Sequence, residues 1–195
     1  MKFITLEEHY IDQRIMDANN AYRQNQPPMS PERQQAMEFL MSRAFPGPEL
    51  LDFEKRLQYM DDHGIDVQVL SMTSPVSDQV PVQEAVKLCR QANDITKGHM
   101  EEHPDRFLGF ATLPMGDPQA AAEELERCVK ELGFSGALLA GRYQGRFFNE
   151  EEFFPIFAKA AQLDVPIYFH PAFIPMEIQE ANYMSDAYSY IVGSV

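Results

Sequence analysis

The chain has 195 residues, 30 acidic against 16 basic, giving a formal charge of −14. That excess argues against nucleic acid and anionic membrane as partners, because both need positive surface. Apolar content of 45% with 11% aromatics excludes an extended disordered chain and predicts one globular domain over residues 1–195. No apolar run approaches the ~20 residues of a membrane helix. The charged pair Glu7 and Glu8 comes too early for a signal peptide, so a cytoplasmic protein is expected. Cys89 and Cys128 fit no metal or redox spacing and read as buried free thiols.

The first element is a strand over "FITLEEHY", Phe3–Tyr10, which ends on Glu7-Glu8-His9. A polar, proline-dotted insertion follows from Ile11 to Pro48, with a helix start at Ser30-Pro31-Glu32. Excursions of that length commonly carry a lid or binding surface. "LLDFEKRLQYMDDHG" has helical spacing and closes on Gly64. "IDVQVLSM" is the second strand, and "VPVQEAVKLCRQANDITKGHMEEHP" a long helix stopped by Pro104. "RFLGFATLP" is the third strand, and "DPQAAAEELERCVKELG" a helix capped by Asp117 with Pro118 at its first position. "FSGALLAG" is the fourth strand, "NEEEFFPIFAKAAQLD" a helix and "VPIYFHP" the fifth strand.

Strands apolar on both faces, alternating with helices, describe an α/β protein with a parallel sheet covered by helices. No Gly-x-Gly-x-x-Gly or phosphate loop is present, so a (β/α) barrel is favoured over a nucleotide-binding fold. Its functional residues are expected at the carboxyl ends of the strands. Only five strands are counted where a complete barrel has eight over ~250 residues. The expectation is therefore a partial TIM-type barrel, about five of eight βα units, with a helical insertion after the first strand. The chain reads as incomplete at Val195. Open strand edges would then pair with another chain, which predicts a homo-oligomer.

Strict alternation along the first strand puts Phe3, Thr5, Glu7 and His9 on one face, with Ile4, Leu6 and Glu8 on the other. Ile4 and Leu6 would pack under the outer helices, leaving Glu7 and His9 to point together into the barrel mouth. A carboxylate and an imidazole so placed can bind Zn²⁺ or Mn²⁺. Alone, the pair equally fits a buried histidine satisfied by its neighbour. His170 ends the fifth strand at the same mouth and strengthens the metal reading. Arg142 and Tyr143, after the fourth strand, are placed to meet a small anionic substrate. Arg142 could grip a carboxylate bidentately, although a solvated loop arginine is the ordinary alternative. "HMEEH", His99–His103, matches an inverted zinc-protease signature, but Pro104 ends the helix at once and helix-end histidines explain it. His63 beside Gly64 reads the same way.

"LEEH", "HPDRFLGFATLP", "GFSGALL" and "VPIYFHP", in that order, resemble the amidohydrolase superfamily, and most of all its metal-dependent decarboxylase branch. The resemblance implies a distorted (β/α)8 barrel with one divalent metal ion, Zn or Mn, at its mouth. Glu7, His9 and His170 match the first three ligands. The family's proton-transfer histidine and metal-binding aspartate are expected after Val195, so no such catalytic residue is assigned within the chain. The implied activity is decarboxylation of small aromatic or unsaturated carboxylic acids. The alternatives are a metal-dependent hydrolase of small lactone or amide substrates, and an inactive half-barrel serving as an assembly module.

Overall fold

The structure, a computed structural model, describes residues 1–23, 31, 50–72 and 80–171. Within them the order is β1 (Ile4–Tyr10), α1 (Gln13–Arg23), α2 (Phe53–His63), β2 (Val67–Met72), α3 (Val82–Glu102), β3 (Phe107–Ala111), α4 (Pro118–Lys130), β4 (Gly136–Ala140), α5 (Phe154–Leu163) and β5 (Ile167–His170). The expected helix start at Ser30-Pro31-Glu32 and most of the Ile11–Pro48 insertion lie outside the described residues. Among the described residues no helix is long and apolar enough to cross a membrane.

The capping chemistry explains the helix boundaries. Asp52 accepts the Lys55 N–H at 3.1 Å to start α2, and Asp117 accepts the Ala120 N–H at 3.0 Å to start α4, with Pro118 behind it. Gly64, at φ 66°, ends α2 in the left-handed conformation a side chain would resist.

The five strands form one parallel sheet in the order β1-β2-β3-β4-β5. It curls far enough that side chains of its first and last strands touch, His9 against His170. This is a partial TIM-type barrel, as the alternating pattern predicts. The helices pack on its outer face, where Leu70, Phe107, Ala137 and Leu139 meet Leu125, Phe153 and Ile156 in the main core. On the inner face Val69, Phe110 and Leu138 form a second, smaller cluster, with Tyr168 stacked on Phe110 at 5.9 Å between ring centroids.

β1 departs from the expected alternation. It pairs Thr5 with Gln68 but Glu8 with Leu70, so one extra residue is inserted between them, and Glu7 there takes φ 59°. The insertion shifts the phase. Thr5 pairs with Gln68, whose side chain bonds Arg56 on α2, so Thr5 belongs to the outer face, and Ile4 pairs with Val67 on the inner one. Ile4 and Leu6, expected beneath the outer helices, are instead half exposed. The segment that keeps the expected phase is the one that carries chemistry: Glu8 turns out toward Arg56, and Glu7 and His9 turn in.

Candidate metal centre at the strand ends

His9 sits at the carboxyl end of β1 and is held on three sides. Tyr10, fully buried, anchors the next residue through its hydroxyl, 2.7 Å from Thr96 Oγ1 on α3. Arg56, buried on α2, donates to the His9 carbonyl and, at 2.9 Å, to Gln68 Oε1, with Glu8 at 3.5 Å balancing its charge. Ser71, beside His9 on β2, places its hydroxyl 2.8 Å from Nδ1. Burial holds the His9 imidazole below its ordinary pKa, with His170 and Arg56 adding to the effect and Glu7 opposing it.

His170 arrives from β5 with Nε2 3.1 Å from His9 Nε2, the rings edge to face. Its Nδ1 donates to the Pro171 carbonyl at 2.7 Å. A carbonyl can only accept, so the hydrogen of a neutral His170 is on Nδ1 and its Nε2 offers a lone pair toward His9. Glu7 lies on the same inner face, where Oε1 accepts the Tyr168 hydroxyl at 2.7 Å. That bond, more than burial, pushes the Tyr168 phenol above its usual pKa.

The nitrogen pair fits a divalent ion. Two imidazole nitrogens each about 2.1 Å from one ion lie roughly 3.0 Å apart at a right angle and roughly 3.4 Å apart at a tetrahedral one. Two imidazoles and a carboxylate are also a donor set suited to Zn²⁺ or Mn²⁺. Glu7 stands beside this pair without closing on it: among the described residues no three His, Cys, Asp or Glu side chains form a ready metal cluster.

Arg142 and Tyr143 follow β4 in a loop tied to the site, because the Gly141 N–H donates to the His170 carbonyl at 2.9 Å. The Arg142 guanidinium lies 5.1 Å above the Phe147 ring. The Tyr143 hydroxyl reaches the loop after β3, so close to Gly116 that a Cβ there would meet it at 2.4 Å. Beyond the loop an open cavity of about 680 Å³ is lined by Phe147, Phe148, Phe154, Phe157 and Phe169. Phe169 faces away from His170 along β5, so this cavity is not part of the histidine site.

The other histidines have packing roles. His99 stacks on Phe53 at 3.7 Å, and His103 meets the edge of Phe107, so the two are engaged by different aromatic rings and not by one ion. His63 lies 2.8 Å through Nδ1 from the Tyr59 carbonyl in the last turn of α2. Cys89 and Cys128 are buried free thiols, both pushed well above the ordinary thiol pKa by burial. The sequence reading missed Ser71, Tyr168 and Arg56. Each acts through a residue distant in the chain, and only the small polar Ser71 inside an apolar strand left a local trace. The histidine and aspartate expected after Val195 lie outside the described residues.

Comparison with known proteins places these observations. A family model described as Amidohydrolase matches residues 47–189. A γ-resorcylate decarboxylase of Rhodococcus jostii is 43% identical over 133 residues, covering 63% of this chain and 40% of that protein. The solved structure of a dihydroxybenzoic acid decarboxylase from Polaromonas, with bound manganese and the inhibitor 2-nitroresorcinol, superposes with TM-score 0.70 at 35% identity. It covers 93% of this chain and 53% of that one. A 5-carboxyvanillate decarboxylase from Novosphingobium aromaticivorans, also with bound manganese, gives TM-score 0.76 at 30% identity over 99% of this chain and 58% of that one. This chain thus spans about 40% of the length of the curated relatives it matches.

Proposed function

This chain belongs to the amidohydrolase family, and on that premise we propose that it carries part of the active site of a metal-dependent decarboxylase of small aromatic carboxylic acids. The observation that carries the reading is the approach of His9 and His170, brought from opposite edges of the sheet with Nε2 atoms 3.1 Å apart. Glu7, His9 and His170 would hold one divalent ion, Mn²⁺ or Zn²⁺. Such an ion would supply Lewis-acid chemistry toward the substrate's carboxylate. Manganese in two related decarboxylases, one holding a nitroresorcinol, supports both the ion and the substrate class.

The residues of this chain would bind and orient. Arg142, braced on Phe147, offers a guanidinium to an anionic substrate at the mouth, and Tyr143 shapes the wall beside it. Val69, Phe110 and Leu138 supply an apolar floor beneath the imidazoles, suited to an aromatic ring. The Ile11–Pro48 segment, entered through α1, is the proposed lid. A cytoplasmic homo-oligomer completes the reading, since β1 and β5 each pair on one side only among the described residues. A monodisperse monomer in sedimentation at micromolar concentration would overturn the oligomer.

The test is metal content by plasma mass spectrometry after chelator-free dialysis, on the wild type and on His170→Ala. It is paired with release of CO₂ from 2,6-dihydroxybenzoate. Near-stoichiometric divalent metal that His170→Ala removes, together with turnover lost in Glu7→Ala and His170→Ala, is the expected result. Turnover that survives both substitutions would sink the metal mechanism.

A further inference from the structure

Arg142 stands between two anchored residues. On one side the Gly141 N–H donates to the His170 carbonyl at 2.9 Å and ties the loop to β5. On the other, Tyr143 closes a tight turn with Arg146. The Tyr143 N–H donates to the Arg146 carbonyl at 3.1 Å, and the Arg146 N–H returns to the Tyr143 carbonyl at 2.9 Å. Gln144 and Gly145 make the turn between them, both at positive φ. Arg146 ties the far side of this turn to Glu152 and lies over the Phe153 ring at 5.4 Å. The Tyr143 side chain ties the near side to a different loop.

That side chain ends against Gly116, between β3 and α4. A Cβ at Gly116 would clash with the Tyr143 hydroxyl, stand 3.0 Å from its Cζ and stand 3.0 Å from Val82 Cγ2 at the start of α3. Gly116 has no positive φ that would call for glycine, so it is the space and not the backbone that requires it. The seat is firm. The Asp117 N–H donates to the Pro114 carbonyl at 2.9 Å, Asp117 caps α4, and Asn93 holds Thr112 from α3. Segments following β2, β3 and β4 thus meet at one point, beyond the carboxyl ends of the strands where this architecture carries its sites.

We propose that Gly116 is a positioning residue: its missing side chain leaves the seat for the Tyr143 hydroxyl, and the seated ring fixes where the Arg142 guanidinium meets an aromatic carboxylate. An arginine whose backbone is fixed on both sides loses less freedom on taking up its ligand. The inference rests on the reading of Arg142 above as a substrate contact, and its test separates the two.

The test is calorimetric titration of the full-length chain, supplied with Mn²⁺, by 2,6-dihydroxybenzoate, alongside metal content. Gly116→Ala should weaken binding roughly tenfold or more, the scale of one hydrogen bond to a charged group, with metal content unchanged. Gly116→Ala combined with Tyr143→Phe, which removes the clashing hydroxyl, should regain much of that loss. In an Arg142→Ala background Gly116→Ala should weaken binding no further, a result that a merely structural glycine would not give. Binding by Gly116→Ala equal to wild type overturns the seat. Equal weakening with and without Arg142 overturns positioning through Arg142. A wild type that takes up no 2,6-dihydroxybenzoate overturns the substrate reading and the seat together. Where Gly116→Ala does not fold, Tyr143→Ala empties the seat instead, and it must weaken binding when Arg142 is present and not when it is absent.

Discussion

Asn93 pairs with the backbone of Thr112 as a neighbouring strand would. Its amide donates to the Thr112 carbonyl at 2.9 Å, and its Oδ1 accepts the Thr112 N–H at 2.8 Å. Thr112 is the first residue past β3, where the sheet has no further ladder bonds to offer, so a side chain from α3 takes over the pairing. Behind Asn93, Glu124 Oε1 accepts its remaining N–H at 2.8 Å and binds Arg127 through both oxygens. The buried cluster fixes the exit of β3 toward the loop that meets Tyr143.

Asn93→Ala removes both partners of the Thr112 peptide groups and one partner of Glu124, all in a buried setting. Unsatisfied buried groups each cost about 1–3 kcal/mol, so the expected loss is roughly 3 kcal/mol in urea unfolding. Asn93→Asp should be as damaging, because it keeps the acceptor, loses the donor and sets a second carboxylate against Glu124. A loss below about 1 kcal/mol in both would refute the account.

Glu124 also gives the fold an acid-side dependence. Burial works to raise its pKa, but the Arg127 guanidinium and the Asn93 amide outweigh that and hold the carboxyl below the ordinary glutamate value. A carboxyl lowered in the folded state contributes stability above its unfolded pKa, about 4.3, and loses it as pH falls through the folded value. Denaturation of wild type and Glu124→Gln across pH should therefore show a gap at neutral pH that closes well below pH ~4. A gap that widens toward acid would show the sign to be wrong.

How much of this was legible in the sequence depended on distance along the chain. Asp117-Pro118 and the glycine after "DDH" announced helix ends correctly because caps act within four residues. The strand ends at His9 and His170 were legible too, since each closes an apolar run, and the barrel pattern sends both to one mouth. The bulge at Glu7 was not. An inserted residue leaves the local pattern of apolar and polar positions intact while reversing the phase on one side of it, which is why Ile4 and Thr5 were assigned to the wrong faces. Nor could the sequence pair Asn93 with Glu124, 31 residues away, since each is an ordinary polar residue on an amphipathic helix.

Gly136 opens β4 at φ 151°, and a Cβ there would stand 2.3 Å from the Pro166 carbonyl oxygen. That oxygen accepts the Ala137 N–H at 3.2 Å, the first link between β4 and β5. Gly136→Ala must therefore part the two strands where their pairing begins, upstream of His170. The expected cost is above about 2 kcal/mol, since backbone cannot yield as a flexible side chain would. Thermal unfolding within a degree or two of wild type would contradict the close approach.

Arg142 tests whether the loop after β4 serves substrate or only packs. Its guanidinium rests on Phe147, an exposed contact worth about 0.5–1 kcal/mol. If packing were its whole role, Arg142→Ala would cost that little stability and leave kinetics alone. If it grips a carboxylate in the proposed decarboxylase, Arg142→Ala should raise KM for an aromatic acid about tenfold or more with kcat little changed, the pattern of lost uniform binding. Arg142→Lys separates the cases further. Lysine keeps the charge but not the planar fork, so it should recover part of the binding and little of the bidentate geometry. Equal KM in wild type and both variants would remove Arg142 from the proposed site.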